Sequence, residues 1–118
     1  MGRASARALA QAGADVIVHY GKGADEAASL IAEIRAAGGT ADGVGTDLAS
    51  PDGPAKLSEA VKAIVGDKLD IVVANVGVSG SAAIEDQTIE KFDNLYAVNS
   101  VHPTSWSSST SAKICIAR

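Results

Sequence analysis

Strand-like and helix-like periodicities alternate along this chain, and that alternation restricts the possible folds more than any single residue does. The segment GRASARALAQAG carries Ala8, Leu9 and Ala12 at helical spacing, with Gly13 placed to end the helix. ADVIVHY follows, and its Val16-Ile17-Val18 run is short, β-branched and wholly apolar, the pattern of a strand buried on both faces. GKGAD breaks that run. Residues 24–37 then place Ala27, Leu30, Ile31 and Ile34 on one helical face, with Gly38-Gly39 beyond the end. TADGVGTDL is a weak strand, poor in β-branched residues and interrupted by two glycines. Ser50 as cap and Pro51 at the first helical position predict the next helix start, and Leu57, Val61, Ile64 and Val65 carry that helix to Gly66. LDIVVANVG is the second strong strand, predicted from Leu69 to Ala74. A last helix opens in TIEKFDNLYAVN, with Ile89, Phe92 and Tyr96 on one side.

Strands separated by helices of about a dozen residues are parallel and joined by right-handed crossovers. The expected fold is therefore α/β, a partial Rossmann-type doubly wound parallel sheet. With 118 residues there is room for one domain at most. One feature is out of place: the chain opens on a helix, where a doubly wound domain should open on a strand and a phosphate-binding loop.

Composition removes several classes of function. An apolar share of 47%, a net charge of −4 and a mean hydropathy of +0.15 describe a globular chain. Aromatic content of 3% leaves the core to Val, Ile, Leu and Ala. A pI near 5.0 gives no basic footprint for nucleic acid. Cys115 is the single cysteine, so a disulfide framework and a cysteine-based zinc site are both excluded, and no metal site is expected. No apolar run approaches the ~20 residues of a membrane helix. Gly2 followed by Ala6 fails the myristoylation pattern. Met1–Ala14 carries Arg3, Arg7 and a serine with no acid, which superficially resembles a transit peptide. The same residues make a good first helix, and the cytoplasm is the default location.

Four local matches then point to one family. Met1-Gly2-Arg3-Ala4 matches the end of a T-G-x-x-x-G-x-G loop, with Gly2 as its last glycine. Asp47-Leu48 ends the weak strand, Ala74-Asn75-Val76-Gly77 matches N-N-A-G at two of four positions, and Asn99 closes F-D-N-L-Y-A-V-N. In this order the chain resembles a short-chain dehydrogenase/reductase of the 3-oxoacyl-carrier-protein reductase type, truncated at both ends. The resemblance implies a partial NAD(P)-binding domain over residues 1–99, lacking its first strand. It implies an adenine contact at Asp47-Leu48, a strand tie at Asn75, close approach to the ribose at Gly77, and at Asn99 a water of the proton relay. Each also has a plainer reading: Asp47 as a turn-capping aspartate, Asn75 and Gly77 as an ordinary strand-end turn, Asn99 as a helix terminator.

Cofactor choice is read at the end of the first strand run. Dinucleotide sites that prefer NAD place an acid there to bind the ribose hydroxyls. This chain has Tyr20, flanked by His19 and Lys22, so nothing repels a 2′-phosphate and Lys22 and Arg3 could attract one. That favours NADP, although a turn lysine and a strand histidine are ordinary features in themselves.

The family reaction moves hydride between NADP(H) and a small alcohol or carbonyl substrate. It needs a serine, a tyrosine and a lysine four residues after that tyrosine. Tyr20 is followed by Ala24 and Tyr96 by Ser100, so neither fits. Residues 100–118 depart from the family, being serine-rich with little apolar periodicity, and read as disordered or frameshifted sequence. Without a first strand, the ADVIVHY and LDIVVAN strands are expected to flank a gap with unpaired, aggregation-prone inner edges. The leading expectation is a reductase fragment inactive alone, from a family whose intact members are usually homo-oligomers. The alternatives are a non-catalytic nucleotide-binding or interaction module, or the product of a damaged gene.

Overall fold

The computed structural model describes residues 1–66, 68–77, 88–96 and 114–117. Its elements are α1 (Gly2–Gln11), β1 (Val16–Tyr20), α2 (Ala24–Ala36), β2 (Ala41–Gly45), α3 (Gly53–Val65), β3 (Ile71–Val73), α4 (Ile89–Tyr96) and β4 (Ile114–Ala117). The four strands form one parallel sheet in the order β2-β1-β4-β3. The α/β class and the parallel sheet are as the sequence predicts.

β1 organises the packing because its successive side chains feed opposite faces. Val16 and Val18 join Ala6 of α1, Ala27, Leu30 and Ile34 of α2 and Ala41 of β2 in one apolar cluster. Ile17 points the other way, into a second cluster with Val44, Leu48, Leu57 and Val61, the last two from α3. The apolar run Val16–Val18 suits this place because helices cover both sides of the strand. Each fully buried Val, Leu or Ile contributes roughly 1.5–3 kcal/mol of transfer free energy.

The glycines that weaken β2 have a specific reason. The Tyr20 ring lies against β2, where a Cβ on Gly45 would stand 2.8 Å from Tyr20 Cε2. A Cβ on Gly43 would stand 2.8 Å from Ile31 Cδ1 and 3.5 Å from the same ring. The strand gives up β propensity to make room for an aromatic side chain and a helix.

Several boundaries differ from the sequence expectation. α3 begins at Gly53 with Pro54 in its first turn, not at Pro51. Residues 47–53 instead form a tight connection in which the Ser50 amide donates to the Asp47 carbonyl at 3.2 Å and the Gly53 amide to the Ser50 carbonyl at 2.9 Å. β3 is shorter than Leu69–Ala74 and lies at the sheet edge, leaving Ile71 and Val72 about half exposed, at 45% and 48%. α4 leaves Ile89, Phe92 and Tyr96 exposed, with the Phe92 and Tyr96 rings stacked at 6.1 Å.

The largest difference is β4. Ile114–Ala117, expected to be disordered or foreign, is a strand that pairs with β1 on one side and β3 on the other. The gap predicted between those two strands is filled, and their inner edges are paired. No helix among the described residues is long and apolar enough to cross a membrane, and no group of three or more potential metal ligands occurs among them.

Candidate dinucleotide-binding site

All four strands run the same way, so their carboxyl ends line one edge of the sheet. In open α/β sheets this edge, where the connections change direction, is where ligands bind. Tyr20 and Lys22 follow β1 at this edge, Asp47 and Leu48 follow β2, and Asn75 and Gly77 follow β3. α1 leads into β1 through a short turn and packs on it, so it runs antiparallel to the strands. Its first residues, Gly2 and Arg3, therefore lie at the same edge. Eight of the nine sequence-predicted site residues are gathered there; Asn99 lies outside the described residues.

The start of α1 has no side-chain cap. The Met1 carbonyl accepts from the Ala4 amide at 3.0 Å and the Ser5 amide at 3.1 Å. Gly2, the first helical residue, is buried. A helix start presents unpaired N–H groups and roughly half a positive charge, the chemistry that suits a phosphate.

Arg3 is already engaged. Its guanidinium donates to Glu33 Oε2 at 2.8 Å, to Ser29 Oγ at 3.3 Å and to the Glu26 carbonyl at 3.4 Å. Arg7 also pairs with Glu33, donating to Oε2 at 2.6 Å. The Arg7 hydrogen bond, reinforced by Arg3, holds the Glu33 carboxyl below its usual range, and Glu33 holds Arg7 above its own. These bonds tie α1 to α2, so Arg3 would reach a cofactor phosphate only by leaving Glu33. Lys22, in contrast, is exposed in the β1–α2 turn and makes no ion pair among the described residues.

Asp47 is exposed, and its Oδ1 accepts the Ala49 amide at 2.9 Å. That is the turn-capping reading of this residue, and it orients the carboxylate at the sheet edge. Leu48 is buried in the α3-side cluster and anchors the turn. Tyr20 is half-buried against the glycines of β2, a packing role in its own right. Asn75 is half-buried and Gly77 exposed in the connection after β3.

Two residues not singled out as site residues hold the Asp47 turn. His19 is 1% exposed and faces the Thr46 carbonyl through Nε2 at 2.8 Å. Only a nitrogen that carries a hydrogen can donate to a carbonyl, so Nε2 of His19 is the protonated ring nitrogen, with Nδ1 unpartnered among the described residues. Burial pushes its pKa below the ordinary histidine range, partly offset by the bond to Thr46. Gly53 is the second: a Cβ there would collide with the Asp47 carbonyl oxygen and stand 3.0 Å from the Asp47 carbonyl carbon. A single polar residue in an apolar strand was the available signal for His19. Nothing local marks Gly53, because its neighbours come from the preceding turn folded back on it.

The residues present could hold parts of a dinucleotide. An uncapped helix start, an oriented carboxylate, a small residue after β3 and no acid at the end of β1 occupy one edge.

Comparison with known proteins points to one family. A family model described as short chain dehydrogenase matches residues 1–113. Versicolorin reductase stcU of Emericella nidulans is 34% identical over 99 residues, covering 84% of this chain and 37% of that protein. Trihydroxynaphthalene reductase of Colletotrichum orbiculare is also 34% identical, covering 84% and 35%. Among solved structures, landomycin C-6 ketoreductase LanV with bound NADP and rabelomycin superposes with a TM-score of 0.78 at 42% identity, covering 86% of this chain and 43% of that one. A metagenomic short-chain oxidoreductase in complex with NADP gives 0.75 at 32% identity, covering 83% and 44%. The chain spans less than half the length of each of these relatives.

Proposed function

The chain belongs to the short chain dehydrogenase family, and from that premise we propose that its carboxyl edge is the adenosine-side part of an NADP(H) site in an oxidoreductase acting on an alcohol/carbonyl pair. The observation that carries this reading is the gathering of Gly2, Tyr20, Lys22, Asp47, Asn75 and Gly77 at the carboxyl edge of one parallel sheet. When bound, the dinucleotide supplies the hydride. The chain's own residues bind and orient it. The α1 start receives the pyrophosphate, the Asp47 carboxylate accepts from the adenine amino group, and Gly77 lets backbone approach the ribose. For Asn99, outside the described residues, the proposal rests on the resemblance of F-D-N-L-Y-A-V-N alone.

The preference for NADP rests on the end of β1. A carboxylate after a β1-type strand would repel a 2′-phosphate, and Tyr20 and Lys22 stand there instead. The NADP-bound relatives support the same choice. Arg3 contributes less than its sequence position suggests, because Glu33 holds it.

Neither tyrosine of this chain has a lysine four residues on. The group that would give a carbonyl oxygen its proton is therefore not among these residues. Positioned acid–base help is worth about 10²–10⁴-fold, so these residues by themselves should support no turnover.

Calorimetric titration with NADPH and NADH tests the reading. Weak saturable binding that favours NADPH, with the preference lost in Lys22→Ala, is the expected outcome. Equal binding of the two dinucleotides by wild type would remove the NADP assignment, and a preference untouched in Lys22→Ala would remove the role of Lys22.

A further inference from the structure

One of the two inner strands of this sheet, β4, is the last described strand in the sequence. β4 sets Ile114 beside Val16 and Ile71, Cys115 beside Ile17 and Val72, and Ile116 beside Val18 and Val73; Ala117 pairs with His19. Residues 74–113 separate it from β3. An edge strand can fray and leave the rest of a sheet intact. A strand bonded on both sides cannot, because its loss breaks two ladders and opens two inner edges at once. α1 also packs on β4, so the same loss uncovers one face of that helix.

The occupant suits its place. Ile-Cys-Ile-Ala is apolar, with β-branched residues at alternate positions, the composition that fits a pleated central strand. It is also short and lies beyond the residues matched by the family model. Ordering its residues costs backbone entropy. The opposing gain comes from the walls of the gap, since four residues make no core of their own. The acceptor is thus formed by β1, β3 and α1, and the tetrapeptide behaves towards it as an added strand does towards a recognition groove.

We propose that the gap between β1 and β3 is a strand-binding site for an extended apolar peptide running parallel to both, filled in cis by Ile114–Ala117. This tetrapeptide is the keystone that joins the β2–β1 pair to β3. The inference is independent of the dinucleotide reading, because it concerns the sheet's own backbone.

Hydrogen exchange on the full chain, followed by mass spectrometry, tests it. The amides of Cys115–Ala117 are expected to exchange at least about a hundredfold more slowly than in the free peptide Lys113–Arg118, a tenfold change corresponding to 1.4 kcal/mol of opening free energy. That protection should persist on dilution of a species with monomer mass. Free-peptide exchange rates would overturn the proposal, and protection that disappears as a dimer dissociates would overturn the assignment in cis. A second measurement uses full chains carrying Ile116→Pro or Ile116→Val. Proline cannot donate to a ladder, so Ile116→Pro should speed exchange at Ile71–Val73 while Ile116→Val leaves it unchanged. Excess free Lys113–Arg118 peptide should restore slow exchange in the proline variant. Unchanged exchange at Ile71–Val73 in Ile116→Pro would refute the keystone role. If that variant fails to fold, the wild-type exchange rates decide alone.

Discussion

Replacing Gly53 with alanine is a sharp probe of how the Asp47 turn is held. The three atoms nearest a Cβ at this position are the Asp47 carbonyl oxygen, the Asp47 carbonyl carbon at 3.0 Å and the Leu48 Cα at 3.1 Å. All three are backbone, so no rotamer change relieves the overlap. Either the turn or the first turn of α3 must move, and Leu48, only 7% exposed, moves with it. Overpacking of this kind costs about 1–3 kcal/mol, with the upper end expected when backbone must shift. Alanine recovers up to about 1 kcal/mol through its higher helix propensity. A net loss of about 1–2 kcal/mol remains. At roughly 4–8 °C per kcal/mol for a domain of this size, the midpoint should fall by roughly 4–16 °C in a far-UV circular dichroism melt. Gly21→Ala is the control, because a Cβ there meets nothing within 4 Å and the backbone is not left-handed. It should leave the midpoint unchanged or raise it slightly. If Gly53→Ala melts with Gly21→Ala, the turn is not held by this contact and the reasoning fails.

Three further outcomes are expected. His19 is buried neutral with a pKa pushed down, so the unfolded chain takes up the proton first; its contribution to stability is complete above the ordinary histidine pKa of about 6.5 and declines as pH falls below it. Urea titrations across that range should show the decline, and a chain equally stable at pH 5 and pH 8 would contradict it. Glu33→Ala removes two partly exposed ion pairs and should lower the melting midpoint only slightly, less at high salt, because such pairs are screened; a drop as large as that of Gly53→Ala would show that the α1–α2 tie is structural. Finally, chain freed of host dehydrogenases should oxidise no NADPH with simple ketones, and steady turnover in a spectrophotometric assay would overturn the reading of Tyr20 and Tyr96.

The layers were legible in the local patterns of the sequence. Val16-Ile17-Val18 had to lie between two helical layers because every position was apolar, and Ala27, Leu30 and Ile34 had to face a sheet because they share one helical stripe. The parallel direction followed from the helices between strands, and with it the edge where Asp47, Asn75 and Gly77 meet. These are local patterns, and a periodicity of two or 3.6 residues survives in any context. What the tertiary structure alone decided depends on partners distant in sequence. Gly43 and Gly45 weaken β2 in isolation, and only the Tyr20 ring above them explains their presence. Arg3 looks like a free cation in sequence and is taken by Glu33 in space. Ile-Cys-Ile-Ala was too short and too far along a serine-rich segment to read as a central strand. Its place depends on the β1 and β3 edges, which are distant from it in sequence.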